Sequence, residues 1–238
     1  MKKRIPVGKL LPIYLFVLVG CISIAHFGSQ AVTTMVESSP IEGRRIIVVD
    51  AGHGGIDGGA TSCTGVLESK FNLEIALRLN DLLRFMGYET KMIRTEDTSI
   101  HTEGKTIAAQ KVSDLKQRVR IVNEIENAIL VSIHQNTFPQ EKYSGAQVFY
   151  ADDECSQTLA RNLQTAFIQT VNPGSKRKCK SSEGIYLMQN ITNPGVLIEC
   201  GFITNPQEEA LLRSGDYQKK LASVISACLS CQLKGENM

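Results

Sequence analysis

Residues 45–59 read RIIVVDAGHGGIDGG. The continuous β-branched run from Arg45 to Asp50 predicts a strand buried on both faces, the kind found in parallel sheets covered by helices. It breaks at Ala51-Gly52 into a loop where glycine lets the backbone turn sharply and approach a ligand, and His53 stands in that loop. Two later apolar runs carry polar residues at their ends: Ile129 to Ile133 leads into His134, and Val196 to Cys200 contains Glu199. Glu68 opens a different pattern. From Glu68 to Met86 the residues Phe71, Ile75, Leu79, Leu82 and Met86 recur on one stripe, and Gly87 follows as a stop, which predicts an amphipathic helix.

Further elements follow from the same rules. Glu89 to Ile93 and Gly145 to Tyr150 predict strands, and Gly184 to Met188 a short one. Glu96 to Val112 is polar and reads as a long surface loop. Helices are predicted over Asp114 to Ile125, over Asp153 to Val171 before Asn172-Pro173-Gly174, and over Tyr217 to Leu233. Asn205 with Pro206 is an N-cap followed by proline at the first helical position, opening a helix through Leu212. Strands alternating with helices predict the α/β class: a single domain over residues 44–234, with a twisted, mainly parallel sheet flanked by helices on both faces.

The residues before it differ in character. Lys2, Lys3, Arg4 and Lys9 precede an apolar run of about 18 residues from Leu10 to Phe27, on the border between a removed signal and a retained anchor. Residues 1–27 are therefore expected to be a signal or membrane-anchor segment, and residues 28–43 a linker. Ser29-Gln30-Ala31 suits signal peptidase; Leu18-Val19-Gly20-Cys21 has the form of a lipoprotein signal, with Cys21 as the acylated residue. All versions place the domain outside the cytoplasm. Seven cysteines are compatible with that compartment, and the six outside the apolar segment leave their pairing open.

Composition excludes little. Hydrophobic residues make up 42% and charged residues 21%, ordinary for a globular domain. A net charge of +2 offers no case for nucleic-acid binding, which needs a concentrated basic face. The run Lys176-Arg177-Lys178-Cys179-Lys180 reads as a solvated loop, or as a contact for an anionic wall polymer or a partner.

The chemistry comes from four residues. In open α/β sheets ligands gather beyond the carboxyl ends of the strands, and His53, His134 and Glu199 all end strand runs there. Glu68 begins the helix that follows the first strand and can return to the same edge. Two imidazoles and one carboxylate are the ligand set of a catalytic zinc with an open fourth position, and the remaining carboxylate is then free to move protons. Each residue alone has a bland reading: a strained loop histidine, a helix N-terminal charge, a core histidine. Glu199 is the hardest to explain that way, because an acid inside VLIECGF is buried and costly unless something binds it. The loop is not a dinucleotide fingerprint, since Asp57 occupies the third glycine position. No P-loop lysine and no HExxH occur. A Cys–His nucleophile, from Cys63 or Cys200 with His134, lacks a supporting frame.

Four ordered blocks carry a resemblance. Asp50 to Gly55, Glu68 with Asn72 and Arg94, Ser132 to Asn136, and Glu199 to Asn205 resemble the zinc-dependent N-acetylmuramoyl-L-alanine amidases, over residues 45 to 231. The resemblance implies that His53, Glu68 and His134 hold Zn2+, that Glu199 is catalytic, and that Arg94 and Asn136 contact substrate. It implies peptidoglycan as substrate and the amide between N-acetylmuramic acid and L-alanine as the bond. Small size, one hydrophobic N-terminal segment, and the stretches Asp114 to Arg118 and Arg120 to Asn123 are similar to the germination-specific branch of spore formers. That branch implies action around the forespore, in cortex maturation before lactam formation. Asn127 departs from the Asp common in relatives. The stretch between His134 and Glu199 is too short for the inhibitory helix of division-associated relatives, so control by an accessory or regulatory protein is the expectation. A non-catalytic peptidoglycan-binding module and a zinc peptidase acting on the stem peptide are the alternatives.

Overall fold

The computed structural model describes residues 45–235. The expected targeting segment, the linker and Cys21 lie outside the described residues. Among the described residues no helix is long and apolar enough to cross a membrane.

The chain runs β1 (Ile46–Ala51), α1 (Glu68–Phe85), β2 (Thr90–Met92), α2 (Ile107–Asn123), β3 (Ala128–Asn136), β4 (Gln147–Tyr150), α3 (Glu154–Thr170), β5 (Lys180–Ser181), α4 (Tyr186–Asn190), β6 (Gly195–Phe202), α5 (Pro206–Leu212) and α6 (Gly215–Gly235). The six strands form one sheet in the order β2-β1-β3-β6-β4-β5. β2, β1, β3 and β6 are mutually parallel, in keeping with the run-on apolar sequences of β1, β3 and β6, while β4 lies antiparallel to β6. Parallel neighbours need crossovers, and helices supply them on both faces.

One face carries the larger core. Phe71, Ile75, Leu79 and Leu83 of α1, Leu159, Leu163 and Phe167 of α3, and Leu221, Ile225 and Leu229 of α6 pack there against Ile47, Val49, Val131 and Ile198. On the other face Val122 of α2 and Leu187 and Met188 of α4 cover Val48, Leu130 and Leu197. α1 keeps its apolar residues three and four apart, so one buried stripe enters the core that the sheet shares with α6. Gly87, at φ 84, then turns the chain, and the Tyr88 N–H bonds back to the Leu83 carbonyl at 3.0 Å.

Three local expectations differ from the structure. The predicted loop over 96–112 is helical from Ile107, because the Thr106 hydroxyl accepts the Ala109 N–H and caps α2. The predicted strand over Gly184 to Met188 is a turn followed by the short helix α4. An apolar run that short does not distinguish the two, and burial of Leu187 and Met188 against α2's face of the sheet selects the helix. β3 continues past His134 to Asn136, with an irregularity in its pairing to β6 between those residues. α1 holds Glu68, so its packing underlies the site. Leu79→Ala, at a fully buried position, is expected to lower unfolding free energy by about 2–5 kcal/mol, measured by urea denaturation.

Candidate metal centre

The site lies at the carboxyl ends of β1, β3 and β6. β1 delivers Asp50 and then His53; β3 delivers Ser132 and His134; β6 delivers Glu199, which pairs in register with His134. The loop between β1 and α1 brings Glu68 back to the same edge, where its carboxylate sits between the two imidazoles. Oε2 lies 3.2 Å from His53 Nε2, and Oε1 lies 3.1 Å from His134 Nδ1. The two rings meet edge-on with centroids 5.0 Å apart. One ligand atom from each of His53, Glu68 and His134 lies within 4.8 Å of the others.

Glycine makes this closeness possible at two positions. A Cβ on Gly52 would lie 2.1 Å from His134 Nε2, and one on Gly59 would lie 2.6 Å from Glu68 Oε2. Glu68 is buried, yet its oxygens accept from Ala60 N–H at 3.0 Å, Gln135 N–H at 3.1 Å and Asn72 Nδ2 at 3.2 Å. Burial works against its charge, but His134 and His53 outweigh that and hold the carboxyl well below the usual range. The converse holds for His53. Burial alone would push its imidazole down; Asp57 and Glu68 carry it up to about 9. The environment therefore favours positive charge among these donors. Two nitrogens and a carboxylate in such a setting fit a borderline divalent cation.

Glu199 completes the group. Its Oε2 is buried without a hydrogen-bond partner. Burial, with a smaller contribution from Glu68, pushes its carboxyl up to about 7 despite the nearby His134. His53, His134 and Glu199 open on a cleft of about 590 Å³, whose other walls include Leu115, Ile185, Tyr186, Leu187 and Leu197.

Arg94 and Asn136, the two expected substrate contacts, have different surroundings. Arg94 is buried, and its guanidinium donates to the carbonyls of Ala51 at 2.8 Å, Gly52 at 3.0 Å, Ser69 at 2.9 Å and Glu96 at 2.8 Å. Its donors tie the β1 loop to α1, which makes Arg94 a scaffold for the loop. Asn136 is half-buried at the end of β3, where its carbonyl accepts the Ile203 N–H. The basic run also has a local partner: Arg177 stacks on Phe202 at 4.7 Å and donates to the Ser144 carbonyl at 2.8 Å. No disulfide joins cysteines among the described residues. Cys200 is fully buried and burial pushes its thiol up, which disfavours a thiolate nucleophile.

Three supporting residues were not singled out from sequence. Arg118 of α2 is almost completely buried and forms an ion pair with Asp50, while donating to Asp114 Oδ2 at 2.5 Å, the Ala51 carbonyl at 3.0 Å and the His53 carbonyl at 2.8 Å. That last bond fixes a residue with φ 61, a conformation rare outside glycine. Asp57 faces His53 Nδ1 at 2.8 Å, and Lys111 of α2 lies 2.7 Å from the other Asp57 oxygen. A signal existed for Asp57, an acid four residues after a loop histidine; Arg118 and Lys111 lie far away in sequence and gave none.

This fold and site define a family. Residues 47–231 match Amidase_3, N-acetylmuramoyl-L-alanine amidase, and the chain belongs to that family and is an N-acetylmuramoyl-L-alanine amidase. It is 43% identical over 190 residues to the germination-specific N-acetylmuramoyl-L-alanine amidase of Bacillus subtilis, covering 79% of each chain. It is 28% identical over 228 residues to the amidase AmiA of Escherichia coli, covering 77% of this chain and 74% of that one. Among solved structures it matches the CwlD amidase from Clostridioides difficile, determined in complex with the GerS lipoprotein. That match has a TM-score of 0.77 and 36% identity over 80% of this chain and 99% of the other.

Removing Arg118 leaves the Asp50 charge buried without its partner. Burial would push the Asp50 carboxyl up, but Arg118 and the Ser132 hydroxyl hold it below its ordinary range. The stability it contributes is therefore complete above about pH 4 and lost as pH falls through the depressed value. Arg118→Leu is expected to cost about 3–5 kcal/mol at pH 7. Its deficit in urea denaturation should narrow as acid protonates Asp50; a deficit independent of pH would contradict the pairing.

Proposed function

We propose that this amidase depends on zinc held by His53, Glu68 and His134, and that Glu199 is its catalytic proton carrier. The substrate is peptidoglycan, and the bond is the amide joining the lactyl group of N-acetylmuramic acid to L-alanine. The observation that carries this reading is the buried, unpartnered Oε2 of Glu199 beside three ligand-type side chains within 4.8 Å of one another. A buried carboxylate oxygen without a partner is costly, and that cost is met when a reacting water binds it.

Zinc bound by these residues supplies Lewis acidity to the amide carbonyl and lowers the pKa of water. The remaining steps belong to the chain itself. Glu199, pushed to about 7 by burial, is matched to proton transfer near neutral pH. Its Oε2 takes the proton of the attacking water and returns it to the departing alanine nitrogen. Asp50 and Arg118 keep His53 in its strained backbone conformation through the cycle. Leu115, Ile185, Leu187 and Leu197 form an apolar wall that limits bulk water around the reacting bond. Asn136, two residues beyond His134, is the polar side chain of this edge that meets substrate.

The place of action is outside the cytoplasm, with the N-terminal segment as export signal or membrane anchor. The role is spore-cortex maturation leading to lactam formation and germination, a reading supported by the 43% identical germination-specific relative. An accessory protein assists it, by analogy with the Clostridioides difficile relative solved with a lipoprotein. A zinc peptidase acting on the stem peptide would use the same chemistry, and family membership favours the amide bond instead.

Mass spectrometry of peptidoglycan digested by zinc-loaded protein is expected to find stem peptides beginning at L-alanine and muramic acid with a free lactyl carboxylate. Shortened peptides still joined to muramic acid would refute the bond assignment. Glu199→Gln is expected to keep its zinc in metal analysis while turnover falls about 10²–10⁴-fold. His134→Ala is expected to lose the metal. Glu199→Gln at full turnover would remove the assigned role.

A further inference from the structure

We infer that Asp57 is a positioning residue that fixes the orientation and tautomer of the His53 ring, and that Lys111 holds Asp57 for that task. The inference rests on the zinc reading above. His53 offers two ring nitrogens with different neighbours: Nε2 faces Glu68 Oε2 at 3.2 Å within the ligand cluster, and Nδ1 faces Asp57 Oδ2 at 2.8 Å outside it. A neutral imidazole has one proton to donate, and an ionised carboxylate can only accept. With a cation on Nε2, the single remaining proton sits on Nδ1 and is donated to Asp57. The ring then cannot rotate or exchange tautomers without breaking that bond.

Asp57 is itself built in. Its N–H donates to the Gly54 carbonyl at 3.1 Å, and its own carbonyl accepts the Gly54 N–H at 2.7 Å, closing a tight turn that folds the carboxylate back on His53. Oδ1 is engaged by Lys111 Nζ at 2.7 Å and by the Gly59 N–H at 3.2 Å, which leaves Oδ2 for the imidazole. Lys111 and Arg118 both belong to α2. One helix thus fixes His53 twice: the carbonyl directly through Arg118 at 2.8 Å, and the ring through Lys111 and Asp57. A plain turn-forming aspartate would need only the Gly59 contact. The lysine and histidine contacts exceed that requirement.

The test is a zinc competition titration against a chromophoric chelator, with urea denaturation of the metal-free proteins alongside. Asp57→Asn keeps an acceptor for Gly59 but loses the charge, so its zinc affinity should fall about 10–100-fold with the metal-free urea midpoint little changed. Lys111→Met, at a partly exposed position, should fold normally and lose affinity in the same direction but less. The double variant should lose no more than Asp57→Asn alone, because Lys111 acts through Asp57. In zinc-loaded wild type, ¹⁵N NMR should find a hydrogen-bonded proton on His53 Nδ1, and Asp57→Asn should shift or lose that signal. Unchanged affinity and an unchanged Nδ1 signal in Asp57→Asn would overturn the inference while leaving the zinc reading intact. A wild type that binds no zinc would overturn the zinc reading itself, and the inference with it.

Discussion

A single buried carboxylate, Glu68, stands between two imidazoles, and the geometry of the centre depends on it. Its two oxygens face different rings, His53 at 3.2 Å and His134 at 3.1 Å, so the rings cannot be placed independently. Backbone N–H groups of Ala60 and Gln135 and the amide of Asn72 also donate to its oxygens. An ionised carboxylate with this many donors stays charged despite burial. Charge at that point attracts positive charge, whether a proton on His53 or a cation shared by all three residues, and both compete for the same electron pairs. The close-approach glycines and the strained His53 follow from the need to bring donors from two strands and a helix around one small volume.

The fold's part is to supply a rigid edge. Parallel strands β1, β3 and β6 end together, and the pairing of His134 with Glu199 sets these two residues side by side across the ladder. Behind them, Asp50 and Ser132 are paired in register and share a hydrogen bond of 2.6 Å, and Arg118 reaches down from α2 to close the network. Such a polar network is favourable only when every member is satisfied. Here the Asp50 oxygens and the Arg118 nitrogens each have partners, which explains how a charged pair is tolerated beneath the site. Beside this network, Glu199 Oε2 is buried without a hydrogen-bond partner.

Much of this was legible in the residues, and the reasons are specific. Runs such as IIVVD and VLIEC are long enough and β-branched enough to declare buried strands, and polar residues at their ends are expensive enough to demand a purpose. α1 declared itself through its three-and-four spacing. The short elements did not. β5 has two exposed residues, and α4 has five whose apolar content fits strand or helix equally. Arg94 shows why a motif position does not specify a direction: its charge turns inward to four carbonyls. The roles of Arg118 and Lys111 at the site were invisible because Asp50 and Asp57 lie 68 and 54 positions away.

Membership of the amidase family adds the bond, but the centre rests on donor chemistry. Zinc X-ray absorption spectroscopy of the purified, zinc-loaded protein tests that chemistry most directly. The account predicts a first shell of nitrogen and oxygen donors at about 2.0–2.2 Å with the outer scattering of two imidazoles and no sulfur. A sulfur shell at about 2.3 Å would place the metal on the cysteines instead and contradict it.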